Sequence, residues 1–488
     1  MQYRVRGRSG PRTFDVETDG NARGPWTARL EKDVRAMWID EMANQLKDIS
    51  SKVRYDSSRY LALSGIAIFH AKIALKREDH EALLMAQNQA DEIKLEDERS
   101  IALRGICHSM CIMAEREKKP EMLNFAMGVV NRIVNDYDKT MALADIAMTM
   151  TRLGNYEGAK KHISDASGEV RKISNAFNRF EALRTVVEVM AEMGAYTKRR
   201  DLIEIAVNLS KKIGGGYHRA LTFSKLAECY AQVDEADHAK EYVKTASENI
   251  KNITDGYQVA LVLSKIALAV NNISKTMTNL SGTSGSTELL TQAEAILDDI
   301  NDHYFKAKAL IEIGETMLVL DMVDQCEEMI NKAVISAYKV TDKYNKAMIF
   351  SEIAVPLARL GEYLQAKRGI EKSIELSKQL GDEYYKALAL KCTAEILPEL
   401  IPTKDAAPIF VERAKGIILA EKYKGADLLN AAIKIETAEE LLAGGKFEEA
   451  VDQAVVALEI TENVTGVHSK LEVHLPDKLK KKLRVMKT

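Results

Sequence analysis

Apolar residues recur along this chain at helical spacing, and the whole pattern recurs every 40 residues. It is plainest at 344–361, YNKAMIFSEIAVPLARLG, followed by a second apolar stretch with a small residue, Ser373. Anchored on the basic residue that opens the phrase, copies begin at Arg59, Arg99, Lys139, Arg179, Arg219, Val259, Lys306, Lys346 and Lys386, with a degenerate tenth near Asn430. The spacing departs from 40 only after Val259, where it is 47, and after Lys386, where it is 44. A fixed period of this size predicts stacked supersecondary units that bury a core only together. Each copy carries two amphipathic stretches, such as Leu143, Ile146, Ala147 and Met150, then Ala159, Ile163 and Ala166. That spacing predicts a pair of helices per repeat.

Small residues explain how the pairs stack. Eight residues into the first helix stand Ala67, Ala147, Ala227, Ala267, Ala354 and Ala394, and late in the second stand Ala126, Ala166, Ala206, Ala246, Ala333 and Ser373. Residues without bulk let helix backbones approach while longer side chains fill the adjoining grooves. Asn135, Asn175, Asp255, Asp302, Asp342 and Asp382 stand where a side-chain oxygen caps the first helix. Gly154, Gly194 and Gly361 stand where a left-handed residue would end it. Two residues after each cap comes a ring: Tyr137, Phe177, Tyr217, Tyr257, Tyr304, Tyr344 and Tyr384. The favoured reading wedges each ring against the preceding repeat's second helix with its polar end wet; the alternative is a ladder that stacks bases or Pro-rich peptides.

The order of small and aromatic residues in LAECYAQVDEADHAKEYVKTA, from Leu226, and in IAVPLARLGEYLQAKRGIEKS, from Ile353, resembles the tetratricopeptide repeat. The resemblance covers residues 59 to about 464. It implies an all-α fold, a right-handed solenoid of about ten antiparallel helix pairs whose first helices line a concave groove. The period of 40 departs from the family's usual ~34.

The flanks differ. Residues 1–26 form a basic arm in which YRVRGR and TFDVETDG alternate, so a small β-hairpin is expected there. Residues 27–56 hold one helix, with Leu30, Val34, Trp38, Met42 and Leu46 on a stripe that caps the array. The array itself spans 57–465, with a Gly/Ser-rich insertion at 274–287 and a lengthened connection at 398–408. Residues 466–488 form a basic tail or capping helix.

Composition narrows the function. Nothing approaches the ~18 apolar residues of a membrane span, and MQYRVRGRSGPRTF lacks the apolar core of a secretory signal. A cytoplasmic location is expected. The five cysteines are scattered through predicted helices, which is no disulfide framework. Cys107 and Cys111 are spaced as a metal half-site, but Cys107 occupies a small-residue position and no second pair lies nearby, so buried packing is preferred and no metal is expected. No P-loop, HExxH or strand-linked GxGxxG occurs. An enzyme is not expected, nor a cofactor.

Charge is unevenly spread. Residues 1–35 carry +3 and residues 466–488 carry +5, leaving −11 between them out of a total of −3. An acidic body does not suit a solenoid that grips nucleic acid along its groove. Any RNA or ribosome contact would use the ends: Arg4, Arg6, Arg8 and Arg12, and Lys480, Lys481, Lys482 and Arg484. The family's inner-face positions map onto Ser64, Arg104, Arg184, Ser224, Ser264, Ser351 and Lys391 in one row, and onto His108, Met148, Glu188, Glu228, Leu268, Glu315, Val355 and Glu395 in the next. Glu181, Arg184, Glu188, Glu192 and Glu228, with Lys391 and Glu395, are the candidate partner-binding residues. The leading expectation is a non-catalytic scaffold or adaptor that binds a partner protein or peptide in the groove. The alternatives are an RNA- or ribosome-associated factor and a peptide-responsive signalling regulator.

Overall fold

A computed structural model describes residues 38–276, 283–402, 404, 406–420 and 426–465. Among the described residues there are twenty-one α-helices and no strand. The expected hairpin at 1–26 and the basic tail at 466–488 lie outside them.

The chain enters through α1 (Trp38–Ser51) and then runs through eight helix pairs: α2 (Asp56–Arg77) with α3 (His80–Glu92), α4 (Glu96–Glu117) with α5 (Glu121–Val130), α6 (Asp136–Arg152) with α7 (Tyr156–Val170), and α8 (Ala176–Tyr196) with α9 (Arg200–Ser210). They continue as α10 (Gly216–Gln232) with α11 (Ala236–Ile250), α12 (Gly256–Thr276) with α13 (Thr283–Ile296), α14 (His303–Val319) with α15 (Val323–Lys339), and α16 (Lys343–Arg359) with α17 (Tyr363–Lys378). Then comes α18 (Glu383–Ile396), and the chain closes with α19 (Ala406–Ala420), α20 (Ala426–Ala443) and α21 (Phe447–Thr465), which pack on one another. The expected insertion at 274–287 is shorter than the sequence suggests, because α12 reaches Thr276 and α13 starts at Thr283.

The local signals act as their chemistry requires. Asn135 accepts from the backbone N–H of Tyr137 at 3.0 Å, Asp302 from Tyr304 at 2.8 Å and Asp382 from Tyr384 at 2.8 Å. Asn175, Asp255 and Asp342 cap in the same way, each such cap contributing ~1 kcal/mol. Gly154 and Gly361 take left-handed conformations, with φ of 82° and 80°. Gly194 does not. It lies inside α8, where an added Cβ would meet Ile203 Cγ1 at 2.7 Å, so its role is close packing and the left-handed residue there is Lys198. Ala147, Ala166, Ala246 and Ser373 are fully buried, as small residues at helix contacts must be.

The first helices of the repeats pack on one another in sequence, and the ninth returns to the first. α2 touches α4 on one flank and α18 on the other. Three contacts along this joint run in step: Arg54 N–H donates to Glu383 Oε2 at 3.2 Å, Gly65 meets the backbone of Lys391, and Lys72 Nζ lies 3.1 Å from Glu399 Oε1. Contacts that advance together on both helices mean the two are parallel and level. An array whose units touch only their neighbours would stay open; here nine inner helices close into a ring.

The outer helix that should follow α18 is supplied from the other end of the chain. α1 packs against α2, α17 and α18, burying Trp38, Ile39, Met42 and Leu46, each worth ~1.5–3 kcal/mol. Arg77, at the end of α2, pairs with Asp40 of α1 and Glu448 of α21. α21 in turn packs on α17, with Lys367 Nζ 2.6 Å from Glu459 and Arg368 paired to Glu462. Eight pairs, a ninth inner helix completed by α1, and a terminal three-helix unit replace the ten equivalent pairs expected from the repeat.

Candidate functional site

The ring's inner wall is the surface to which the candidate residues belong. A helix buries the face toward its partner and leaves a stripe toward the axis. On α6, α8, α10 and α14 that stripe is half-buried, at Asp145, Glu188, Glu228 and Glu315 among others. Nine parallel helices spaced ~9 Å apart set a ring radius of ~13 Å, and subtracting the ~5 Å radius of a helix with its side chains leaves a channel of about 16 Å.

Ion pairs between successive inner helices line this channel. Arg104 reaches Asp138 at 3.2 Å and His108 Nδ1 lies 2.9 Å from Asp145, joining α4 to α6. Lys265 reaches Glu312 at 3.2 Å, joining α12 to α14. Two rungs join α14 to α16: Lys308 to Glu352 at 3.1 Å and Arg359 to Glu315 at 2.8 Å. Lys225 of α10 bridges Glu192 and Glu228, and Asn272 of α12 donates to Glu228 at 2.8 Å.

The residues singled out from sequence all lie on this wall, but they do not form one free acidic patch. Arg184 sits between Glu181 and Glu188, donating to both oxygens of Glu188 at 2.7 and 2.9 Å. Glu181 Oε2 also lies 3.2 Å from Nδ1 of His218, a buried ring in edge contact with Phe177 and Tyr217. Lys391 pairs with Glu395 at 2.7 Å beside the ring joint. The row read as Ser64, Ser224, Ser264 and Ser351 departs from expectation. These hydroxyls are buried between helices, Ser351 bonding Ser373 at 2.8 Å and Thr393 at 2.9 Å. A short side chain one register off the axis is covered by the neighbouring helix, whereas Arg and Lys at the same position extend past it.

Tyr137, Tyr217, Tyr257, Tyr304 and Tyr344 are half-buried and pack against the core. Arg104 of the preceding first helix lies over Tyr137 at 5.7 Å, Lys308 over Tyr304 at 5.5 Å, and Tyr344 meets Tyr385 at 5.0 Å. Burial pushes the Tyr257 and Tyr344 hydroxyls up to about 12.

Electrostatics reflects a channel that is wet but enclosed. Glu188 keeps 20% of its side-chain surface open, yet protein surrounds it; burial pushes its carboxyl up, against the pull of Arg184. Glu352 and Glu315 are raised for the same first reason, opposed by Lys308 and Arg359 respectively. Glu181 goes the other way. Burial would raise it, but the close His218 ring and the Arg184 guanidinium outweigh that and hold its carboxyl at about 2. Burial pushes the Tyr217 hydroxyl up, and the charge of Glu181 adds to the shift.

Sequence reasoning missed Lys72, Lys225, Lys265, Lys308 and Arg359, which neutralise the wall. A signal was present six residues after the anchor, where five of the nine copies carry a charge: Asp145, Lys225, Lys265, Glu312 and Glu352. Arg4, Arg6, Arg8, Arg12, Lys480, Lys481, Lys482 and Arg484 lie outside the described residues. Among the described residues no helix is long and apolar enough to cross a membrane. Cys107, Cys111, Cys229 and Cys326 are free thiols buried in helix packing.

No protein-family model matches the chain, and no curated protein matches it in sequence. Among solved structures, Ton1535 from Thermococcus onnurineus NA1 matches with 13% identity over 71% of this chain and 94% of that one, at a TM-score of 0.26.

Proposed function

We propose that the protein is a non-catalytic cytoplasmic scaffold, built of tetratricopeptide-like repeats coiled with a right hand, that binds an extended segment of a partner protein along the ring's inner wall. The observation that supports it most is the wall itself: charged and tyrosine side chains on successive inner helices stay open to water in a channel wide enough for an extended chain. Each ion pair there can exchange one member for a charge brought by the partner, which gives specificity at little net cost.

The test compares proteins recovered with tagged full-length chain, wild type against Lys265→Ala/Tyr257→Ala, in its own cells. Loss of a specific partner with the inner-wall variant, and retention with the outer-surface variant Lys372→Ala, is the expected result. An identical set of partners from all three overturns the reading.

A second reading is favoured by the charge at the ends, +3 over residues 1–35 and +5 over 466–488. Docking on RNA or a ribosomal particle through these ends would be lost on deleting residues 1–12 and 477–488, and would weaken steeply with salt.

A further inference from the structure

On the outside of the ring, circumference grows faster than helix number. Among the described residues, from α3 to α15 successive outer helices do not pack along each other, and clefts open between them with an inner helix as floor. Three such clefts have volumes of about 430, 500 and 560 Å³. The largest lies between α13 and α15. Its floor is apolar, with Leu310 and Met329 buried, and Ile335 of α15 stands up from its edge, 56% exposed. With Leu310 and Met329 it gives the cleft an apolar strip that reaches the solvent.

Charge says what would cover it. Lys332 and Lys339 flank Ile335 at helical spacing on the same α15 stripe, and Lys306 enters from α14. Lys339 has no ion-pair partner among the described residues, whereas Lys332 pairs with Glu328 at 2.6 Å and Lys306 with Asp298 at 3.5 Å, both exposed pairs of little strength. Glu294 stands on the opposite flank; burial pushes its carboxyl up and the Lys332 charge opposes the shift.

The chain shows within itself how its outer layer receives such a helix. α21 meets α17 by placing Glu459 against Lys367 and Glu462 against Arg368. We infer that the α13–α15 cleft is a second docking surface, which takes an acidic amphipathic helix from a partner protein. An apolar residue of that helix packs beside Ile335, and acidic residues one turn before and after it reach Lys332 and Lys339. The inference does not depend on the inner-wall reading, since the two surfaces face opposite ways.

The experiment uses the full chain and two fluorescent, helix-stabilised peptides with the same leucine stripe, one flanked by glutamates and one by lysines. The acidic peptide should bind at least about tenfold more tightly than the basic one, with the difference shrinking as salt rises. Lys332→Glu/Lys339→Glu should invert that preference, and Ile335→Asp should abolish binding of both. All three side chains are largely exposed, so the melting curves of the variants should stay close to wild type, which separates lost binding from lost fold. Equal binding of the two peptides, binding indifferent to Ile335→Asp, or no binding at all overturns the inference. So does concentration-dependent self-association removed by Ile335→Asp, which would make the occupant a second copy of this chain.

Discussion

Gly65 of α2 lies directly against the backbone of Lys391 in α18: a Cβ added to Gly65 would stand 2.7 Å from Lys391 Cα and 2.9 Å from its carbonyl oxygen. At the equivalent position other repeats carry Asp145, Lys225, Lys265, Glu312 or Glu352. Only a residue without a side chain lets the two ends of the array come this close. Gly105, next on the ring, is equally tight against Ile68, at 2.6 Å.

Gly65→Leu should therefore push α2 off α18. Overpacking of this kind costs ~1–3 kcal/mol, and small-angle scattering should report a larger radius of gyration as the ring opens. Gly128→Ala, where nothing lies within 4 Å of an added Cβ, should leave the radius unchanged and raise helix stability by ~0.5–1 kcal/mol.

The clasp at the joint depends on one guanidinium. Arg77→Ala would leave Asp40 and Glu448 facing each other without a cation, and burial already pushes the Glu448 carboxyl up. Removing one member of a partly buried network should cost ~2 kcal/mol, read as a lower denaturation midpoint. Arg77→Ala/Glu448→Gln should recover part of it, because the repulsion is gone.

Acid should act through Glu181. Its carboxyl is held at about 2 in the folded chain against an ordinary value of 4.5. A depressed carboxyl gives stability that is fully present above its unfolded value and lost as pH falls through its folded one. Between pH ~4.5 and ~2 the wild type should thus lose ~2–3 kcal/mol that Glu181→Gln does not. Denaturant midpoints of the two proteins, measured across that window, should converge at the acid end; parallel curves would show that His218 and Arg184 do not stabilise the carboxylate.

Ala166 and Ala246 are fully buried at helix contacts. Replacing either with Phe should lower stability by ~1–3 kcal/mol, while Phe at exposed Lys244 should change it by less than ~0.5 kcal/mol. An unchanged melting curve for Ala166→Phe would mean that α7 does not pack as described.

What the sequence revealed was local. Periodicity, the Asn and Asp caps, and the alanines at contacts are each decided within about one repeat, so they are legible in the order of residues. Ring closure is not, because the contacts of Arg54 with Glu383 and of Lys72 with Glu399 join residues that no period relates to one another. Gly65 and Gly105 were the only local sign of it. At the candidate site Glu192 and Glu228 were found and the Lys225 between them overlooked, and the pairs Lys265–Glu312 and Lys308–Glu352 were missed because each joins two neighbouring repeats. The buried Ser351 was misplaced for a related reason: which residue of a helix faces the axis depends on how far each neighbour is rotated, and that angle is set by packing.

All nine inner helices run the same way around the ring. Their peptide dipoles add instead of cancelling, each equivalent to roughly half a charge at either end. One rim gathers nine amino ends, with the tyrosine row just inside, and the other gathers nine carboxyl ends. Top and bottom are therefore electrically unlike, and any chain that enters the opening meets a field that distinguishes its forward orientation from its reverse.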